Sequence, residues 1–285
     1  MFALLWTHVA LAQIAPACAD VVMPDDYDEQ VQQDFLQNYY ALSSTFSPIH
    51  APIPHAPGHG TLGLEIGVLP PLGCDKRFVL GHTKTEDTNK SPVIPRPRGS
   101  VSLPAIGKLV PYIGGAYVPP VPINGTINVI VSVEAGFGYP IGEHVQVGGR
   151  FHGTLHKTVG DLATAFNEDE PAVDDMFIGS TLGFEALGGY QIDWVTPYVA
   201  FGITDASTFF LVGDDTFIGN NLHPYFGPNF SVGADGLVKD RFRFGGEFYG
   251  APGGYSIPDP TAANVKGAAR YGHIYTARLR FGVEL

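Results

Sequence analysis

Residues 275–285 read Tyr-Thr-Ala-Arg-Leu-Arg-Phe-Gly-Val-Glu-Leu, and the pattern of this stretch indicates the class of fold. Alternate positions from Tyr275 to Leu285 are all apolar, whereas Arg278, Arg280 and Glu284 lie on the opposite face. A period of two predicts a β-strand. In a soluble sandwich the polar face meets bulk water. An unbroken apolar face opposite a charged one is typical of a strand in a membrane barrel, whose apolar side meets lipid.

The same alternation recurs from residue 60 onward and predicts ten strands, joined alternately by short turns and long loops. This rhythm is typical of transmembrane barrels, in which the short turns are periplasmic. Tyr139, Tyr190 and Trp194 lie beside short turns, where an interfacial aromatic girdle is expected. The fold prediction is therefore all-β: an antiparallel transmembrane β-barrel of about ten strands over residues 60–285, with a short N-terminal helix. The predicted strands are 61–69, 98–103, 110–118, 127–139, 145–155, 177–190, 194–204, 223–234, 238–249 and 271–285.

The last strand resembles the C-terminal signature of Gram-negative outer-membrane β-barrels, except that the usual final aromatic residue is Leu285 here. The resemblance implies that the stretch from Tyr275 to Leu285 closes the barrel and is bound by the barrel-assembly machinery. It also implies a location in the cell outer membrane, in contact with lipid and lipopolysaccharide. As a whole the chain resembles porin-like, functionally uncharacterised barrel proteins of that compartment.

The N-terminal 59 residues predict an export signal followed by a helix and a linker. Residues 1–19 predict a signal peptide, because an apolar stretch precedes small-residue cleavage sites; lipid attachment at Cys18 is the alternative. Residues 20–59 predict a periplasmic helix with Phe35, Tyr39 and Leu42 on one face, then a proline-rich linker or a strap across the lumen. If Cys18 is removed with the leader, Cys74 alone cannot form an internal disulfide.

The composition of the chain indicates its structural type and excludes one class of binding partner. The chain contains 36 glycines and 24 prolines, only 15% charged residues, and a formal net charge of −12. A turn-rich β protein fits this composition. Nucleic acid is not expected as a partner, because binding to phosphates requires a basic surface.

The face opposite the lipid face carries both signs of charge, and two hypotheses follow. The first is a selectivity lining or polar binding site for small polar or amphipathic solutes, with the helix as a plug or a periplasmic brace. The second is a salt-bridged, largely filled interior, since barrels of eight to ten strands have little room. The predicted lumen-lining residues are Glu65, Arg98, Glu134, Arg150, His152, Glu185, Arg241, Arg243, Glu247, Arg278, Arg280 and Glu284.

Metal chemistry has weak support. His50, His55 and His59 lie in a proline-rich segment that lacks the rigid geometry of a zinc site, and His152 and His156 share one strand face. We therefore expect neither a metal nor a cofactor.

Loop residues supply the remaining hypotheses. A first long loop is locally basic and is a candidate contact for lipopolysaccharide phosphates through Lys76, Arg77, Lys84 and Lys90. Paired aspartates and a histidine in other loops resemble the outer-membrane omptin proteases, although the family's motifs do not align residue by residue. These are Asp174, Asp175, Asp214, Asp215 and His223. The prediction is a porin- or transporter-like barrel that is not an enzyme; an omptin-like hydrolase or a structural or adhesive barrel with functional loops is the alternative.

Overall fold

The computed structural model describes residues 29–68, 78–79, 82–83, 93–123, 126–160, 175–212, 216–218, 225–252 and 273–285. The predicted signal peptide, both cysteines and the four basic loop residues lie outside these ranges. No helix in the described part of the chain is long and apolar enough to cross a membrane.

Ten long strands form a closed antiparallel barrel. The ring closes because β1 (Gly60–Val68) pairs with both β4 (Val93–Ser102) and β13 (Ile274–Glu284), and β8 (Asp175–Tyr190) pairs with β9 (Val195–Val212). Three short strands lie outside the ring: β2 and β3 pair with each other, and β10 extends β9. The elements are α1 Glu29–Ser43, β1 Gly60–Val68, β2 Phe78–Val79, β3 His82–Thr83, β4 Val93–Ser102, β5 Val110–Ile123, β6 Thr126–Ile141, β7 Val145–Gly160, β8 Asp175–Tyr190, β9 Val195–Val212, β10 Thr216–Ile218, β11 Tyr225–Val238, β12 Phe242–Ala251 and β13 Ile274–Glu284.

The predicted fold class is confirmed, including the strand count. Alternation sets the faces: on β13, Phe281 is 45% exposed on the outside, whereas Arg278 and Arg280 are 1% and 2% exposed on the inside. The predicted girdle residues Tyr190 and Trp194 are exposed beside a short turn. A closed ring leaves no unpaired edge, which is what a sheet surrounded by lipid requires.

Short turns define one end of the barrel, here called the short-turn end. Gly107 and Gly142 take positive φ angles of 64° and 68° in two of these turns, and Asp193 takes 48° in a third. In the fourth turn Lys239 and Asp240 take 54° and 51°. These left-handed residues reverse the chain within a few positions. The opposite end of the barrel is the long-loop end.

Two predicted connections differ from the structure because strand pairing extends further than local composition suggests. The predicted long link at 119–126 is mostly strand, since β5 and β6 continue to Ile123 and Thr126 around a register shift between Val118 and Val121. The predicted turn at 235–237 belongs to β11, where Gly236 pairs with Phe244 and the true turn is 239–241.

Helix α1 lies inside the barrel at the long-loop end. Its apolar face packs on residues at the long-loop ends of β8, β9, β11, β12 and β13. The sequence predicts a periplasmic helix, and the side of the membrane on which α1 lies stays a prediction. The segment that follows the helix runs the length of the lumen before β1 begins at the short-turn end. The packed cluster contains Phe35, Leu36, Tyr39, Ala41 and Leu42 from the helix and Phe177, Ala206, Phe210, Tyr225, Tyr249, Ala251 and Ile274 from the wall.

Candidate functional site

Residues 44–59, here called the strap, occupy the lumen. Near the helix, Ser44 contacts His156 of β7 at 3.1 Å. At the opposite end, the Gly58 amide donates to the carbonyl of Ser102, the last residue of β4. Between these two contacts, strap residues such as Ser47, Ala51 and His55 contact inward-facing wall residues, so this segment is the predicted strap across the lumen rather than an external linker.

Four arginines from three strands, β4, β7 and β13, hold the first part of the strap through its backbone. Each guanidinium is buried and donates to carbonyls that have no helix or sheet partner. Such charge-assisted hydrogen bonds contribute more than neutral ones. The contacts are Arg96 to the carbonyls of Ser44 and Thr45, Arg98 to those of Ser47 and Pro48, Arg150 to that of Phe46, and Arg278 to those of Ser43 and Thr45.

Phe46 is the centre of this part. Its ring is fully buried, and the guanidinium carbons of Arg96, Arg98 and Arg150 lie 5.1, 4.1 and 5.5 Å from the ring centroid. Cations over an aromatic face are attracted by its quadrupole. The Phe46 ring therefore makes cation–π contacts with all three guanidinium groups.

Carboxylates of the wall link the same arginines into one chain of ion pairs. Glu65 pairs with Arg96 and Arg98, the latter at 3.2 Å. Glu134 pairs with Arg98 at 2.9 Å and with Arg150 at 2.6 Å, and Arg150 also pairs with Glu185 at 2.6 Å. All six side chains are almost completely buried. Buried charges of this kind require partners, because desolvation of an isolated charge is costly.

A second group of charges lies toward the short-turn end. Asp235 accepts from Arg280 at 2.9 Å and from Arg243 at 2.7 Å, and it also accepts from the strap amide of Ala51 at 3.4 Å. Arg243 reaches Glu284 at 3.0 Å. The strap is thus held by guanidinium donors along one part and by carboxylate acceptors along the next.

His55 fixes the end of the strap. Its Nδ1 lies 3.1 Å from Glu284 and its Nε2 lies 2.7 Å from the Ser100 hydroxyl. Thr61, the second residue of β1, donates to Glu284 at 3.0 Å. Strands β1, β4 and β13 therefore meet at one histidine of the strap.

Glycines on the lumen face give the strap its space. A Cβ at Gly245 would lie 2.8 Å from the Ile49 carbonyl oxygen, and one at Gly189 would lie 2.9 Å from Pro52. A Cβ at Gly138 would also collide with Pro52. These glycines therefore permit close approach of the strap to the wall.

The lumen thus contains charged side chains around a peptide segment, and the exterior is a continuous apolar band. The chain is a closed ten-stranded β-barrel with the apolar outer surface of a membrane-spanning barrel. No protein-family model matches the sequence, and no curated protein matches it. Three solved structures show the same kind of fold at 10–11% identity. They are the translocator domain of the autotransporter NalP from Neisseria meningitidis (10% identity, 80% of this chain and 89% of that chain, TM-score 0.45), an outer-membrane channel from Pseudomonas putida F1 (10%, 85% and 98%, 0.36) and the P. putida toluene transporter TodX (11%, 85% and 76%, 0.32).

The structure places eleven of the twelve predicted lumen residues on the inner face. Arg241 is the correction: it lies in the 239–241 turn, exposed, with its guanidinium carbon 6.0 Å from the Phe242 ring. The cause is the misplaced turn, since β11 continues to Val238 and shifts Arg241 out of the strand. The same error hid Asp235, which faces the lumen.

Arg96 is the second residue missing from the prediction. The predicted strand begins only at residue 98, so the prediction leaves Arg96 in the first long loop. In the structure β4 includes Pro95 and Pro97 on the outward side. The alternation of Arg96, Arg98 and Ser100 was the signal that could have identified this strand.

The histidines are distributed rather than gathered. His50 lies 3.4 Å from Glu134, and His156 contacts Thr158 at 2.6 Å. Within the described ranges, no group of three or more histidine, cysteine, aspartate or glutamate side chains could hold a metal ion. Of the residues in the protease hypothesis, only Asp175 lies within those ranges, as the buried first residue of β8.

Proposed function

We propose that this outer-membrane barrel is a gated conduit for small polar or amphipathic solutes, closed at rest by its strap and helix α1. The observation that carries the proposal is the chemistry of the contact between strap and wall. Arg96, Arg98 and Arg150 bind the strap through hydrogen bonds to backbone carbonyls. Water can replace such bonds when the strap leaves, so the exposed wall becomes a hydrated pore rather than an unfavourable apolar surface.

The size of the solute follows from what the strap occupies. Barrels of eight strands are just wide enough to be filled by side chains, and the diameter grows with strand number. Removing the strap from a ten-stranded barrel leaves a passage of about the cross-section of an extended peptide. That passage suits small solutes rather than folded proteins.

The balance of positive and negative side chains in the lumen further defines the class of solute. The network contains as many arginines as carboxylates, so it has no strong preference for ions of one sign. A wall with both signs favours neutral polar or zwitterionic solutes. Its members are Arg96, Arg98, Arg150, Arg243, Arg278 and Arg280, with Glu65, Glu134, Glu185, Asp235, Glu247 and Glu284.

Planar-bilayer conductance tests the proposal. The full-length protein is compared with a variant that lacks residues 20–57, and heat-modifiable gel mobility verifies that both barrels are folded. We expect a larger single-channel current from the deletion variant. If neither folded protein passes current, the conduit proposal fails.

The filled lumen favours a second candidate, a structural or adhesive barrel that presents its long loops. Buried ion pairs that involve eight strands, together with their contacts to the strap, would then serve rigidity alone. The same experiment separates the two, since a scaffold needs no conductance after the strap is removed.

A further inference from the structure

Two buried charges in the lumen have no ion-pair partner among the described residues. Arg278 of β13 has no carboxylate within 4.0 Å, and Glu247 of β12 has no cationic group within that distance. The other five arginines and five carboxylates of the network pair with one another. Yet Glu247 and Arg278 are direct cross-strand partners in the β12–β13 register. Both point into the lumen, and side chains at such positions start about 5 Å apart.

Each of the two charges binds the strap instead. Arg278 donates to the Thr45 carbonyl and to the Ser47 hydroxyl, the latter at 2.7 Å. Glu247 Oε2 accepts from the Ile49 amide at 2.9 Å. The strap thus takes one partner on each side of Pro48.

Glu247 is incompletely satisfied in this arrangement. Its Oε2 also accepts from the Tyr198 hydroxyl at 2.7 Å, but its Oε1 is buried without a hydrogen-bond partner. A buried carboxylate oxygen without a donor is costly. The strap-bound state therefore leaves a charge that another arrangement could satisfy better.

Backbone strain lies at the same point. Ile49 has a φ of 47°, and a β-branched residue in the left-handed region is a genuine outlier. Its amide is the group that Glu247 holds. Strain of this kind persists only where surrounding contacts impose it, and it occurs at switch regions.

We infer that the strap holds apart a latent ion pair between Glu247 and Arg278, which closes when the strap leaves. The inference rests on the proposed function, because it describes how the conduit is stabilised once it opens. Closure of the pair compensates both charges that lose their strap contacts. The strained Ile49 relaxes in the same step. The lumen then has two internally paired charge arrangements, one for each state.

The first test is structural and needs no conductance. In the folded variant lacking residues 20–57, determined in detergent or nanodisc, a guanidinium nitrogen of Arg278 should lie within hydrogen-bond distance of a Glu247 oxygen. If the two side chains remain apart, the inference is overturned. A closed pair in a barrel that passes no current would leave the ion pair established and only the conduit proposal refuted.

The second test is a double-mutant cycle in the full-length chain. With Cys18 and Cys74 replaced by serine, Ala51→Cys reports strap release, because residue 51 is 2% exposed and reacts with a water-soluble maleimide only when the strap leaves the wall. Labelling rates are measured for the parent, Glu247→Gln, Arg278→Gln and the double variant. Variants that lose heat-modifiable mobility are not scored.

The latent pair predicts a definite sign for the coupling. If the pair forms only after release, the parent rate times the double-variant rate should exceed the product of the two single-variant rates by about fivefold. The matched control is the cycle of Asp235→Asn with Arg243→Gln, whose ion pair already exists at 2.7 Å with the strap bound and should give no excess. A ratio of one or below for Glu247 and Arg278 overturns the inference.

Discussion

Replacing Arg98 with methionine should release the strap while the barrel stays folded. Arg98 donates to the carbonyls of Ser47 and Pro48 at 2.8 and 2.5 Å, and its guanidinium lies over Phe46. Methionine fills similar space but donates nothing. The wall tolerates the change better than the strap does, because Glu65 keeps Arg96 and Glu134 keeps Arg150 as partners.

The magnitude follows from the two lost hydrogen bonds. A hydrogen bond from a charged donor contributes about 1.5–3 kcal/mol, so strap docking should weaken by about 3–6 kcal/mol. Because about 1.4 kcal/mol changes an equilibrium constant tenfold, the equilibrium constant for strap release should rise by a factor of about 10²–10⁴. The loss of the cation–π contact with Phe46 adds to this effect.

Maleimide labelling of Ala51→Cys in the cysteine-free background measures the release. Arg241→Met is the matched control, because that arginine lies exposed in the 239–241 turn and should leave the labelling rate unchanged. Heat-modifiable mobility of every variant verifies the barrel. If Arg98→Met labels no faster than Arg241→Met, the guanidinium contacts do not hold the strap and the reasoning is refuted.

Three further predictions concern the two faces, the strain and the orientation. Phe244→Arg on the outer face should cost about 2–4 kcal/mol of unfolding free energy in a lipid bilayer, whereas Ser132→Ala in the lumen should cost about 1 kcal/mol; equal losses would contradict the facing. Ile49→Gly should release the strap about fivefold less than Ile49→Ala, since both remove the side chain and only glycine tolerates the positive φ; equal labelling rates would show that the backbone there is unstrained. On intact cells, an impermeant maleimide should label Gln33→Cys in α1 but label Lys239→Cys only after permeabilisation; the reverse pattern would invert the topology.

Sequence alone predicted the barrel because its determinants are local. The alternation on β13 survives in the structure residue by residue, since lipid on one side and charge on the other leave no second register. The pairs of β6 and β7 were equally clear, because a tight turn at 142–144 joins two long alternating runs. These features need no knowledge of distant contacts.

The errors came where a local signal competed with sheet pairing. Asp235-Gly236 is a strong turn sequence, yet both residues continue the ladder between β11 and its neighbours on either side. Proline has no amide hydrogen to donate to a neighbouring strand, so Pro95 and Pro97 argue against a strand. Both nevertheless lie within β4, which pairs with β1 in the closed ring. In both places the pairing of neighbouring strands in the closed barrel set the strand boundaries. That pairing is a property of the whole sheet rather than of the local sequence.

The route of the strap could not be predicted for a different reason. Its partners are scattered over the chain, so no spacing in the sequence connects Phe46 with Arg150 or Ile49 with Glu247. The proline-rich composition predicted extended backbone and left open whether it forms a linker or a strap across the lumen. Only the assembled lumen shows that the arginines have carbonyl acceptors to bind.

The two parts of the N-terminal segment are held by different forces, and this decides how the lumen can open. Helix α1 is anchored by burial of Phe35, Leu36, Tyr39 and Leu42, at about 1.5–3 kcal/mol for each fully buried large side chain. The strap is held by hydrogen bonds and ion contacts that water can replace. Because the strap is tethered to the helix at one end and to β1 at the other, losing its contacts alone allows local excursions but leaves the chain within the lumen. Cysteine labelling therefore reports detachment of the strap, whereas conductance requires the helix to leave its apolar seat as well.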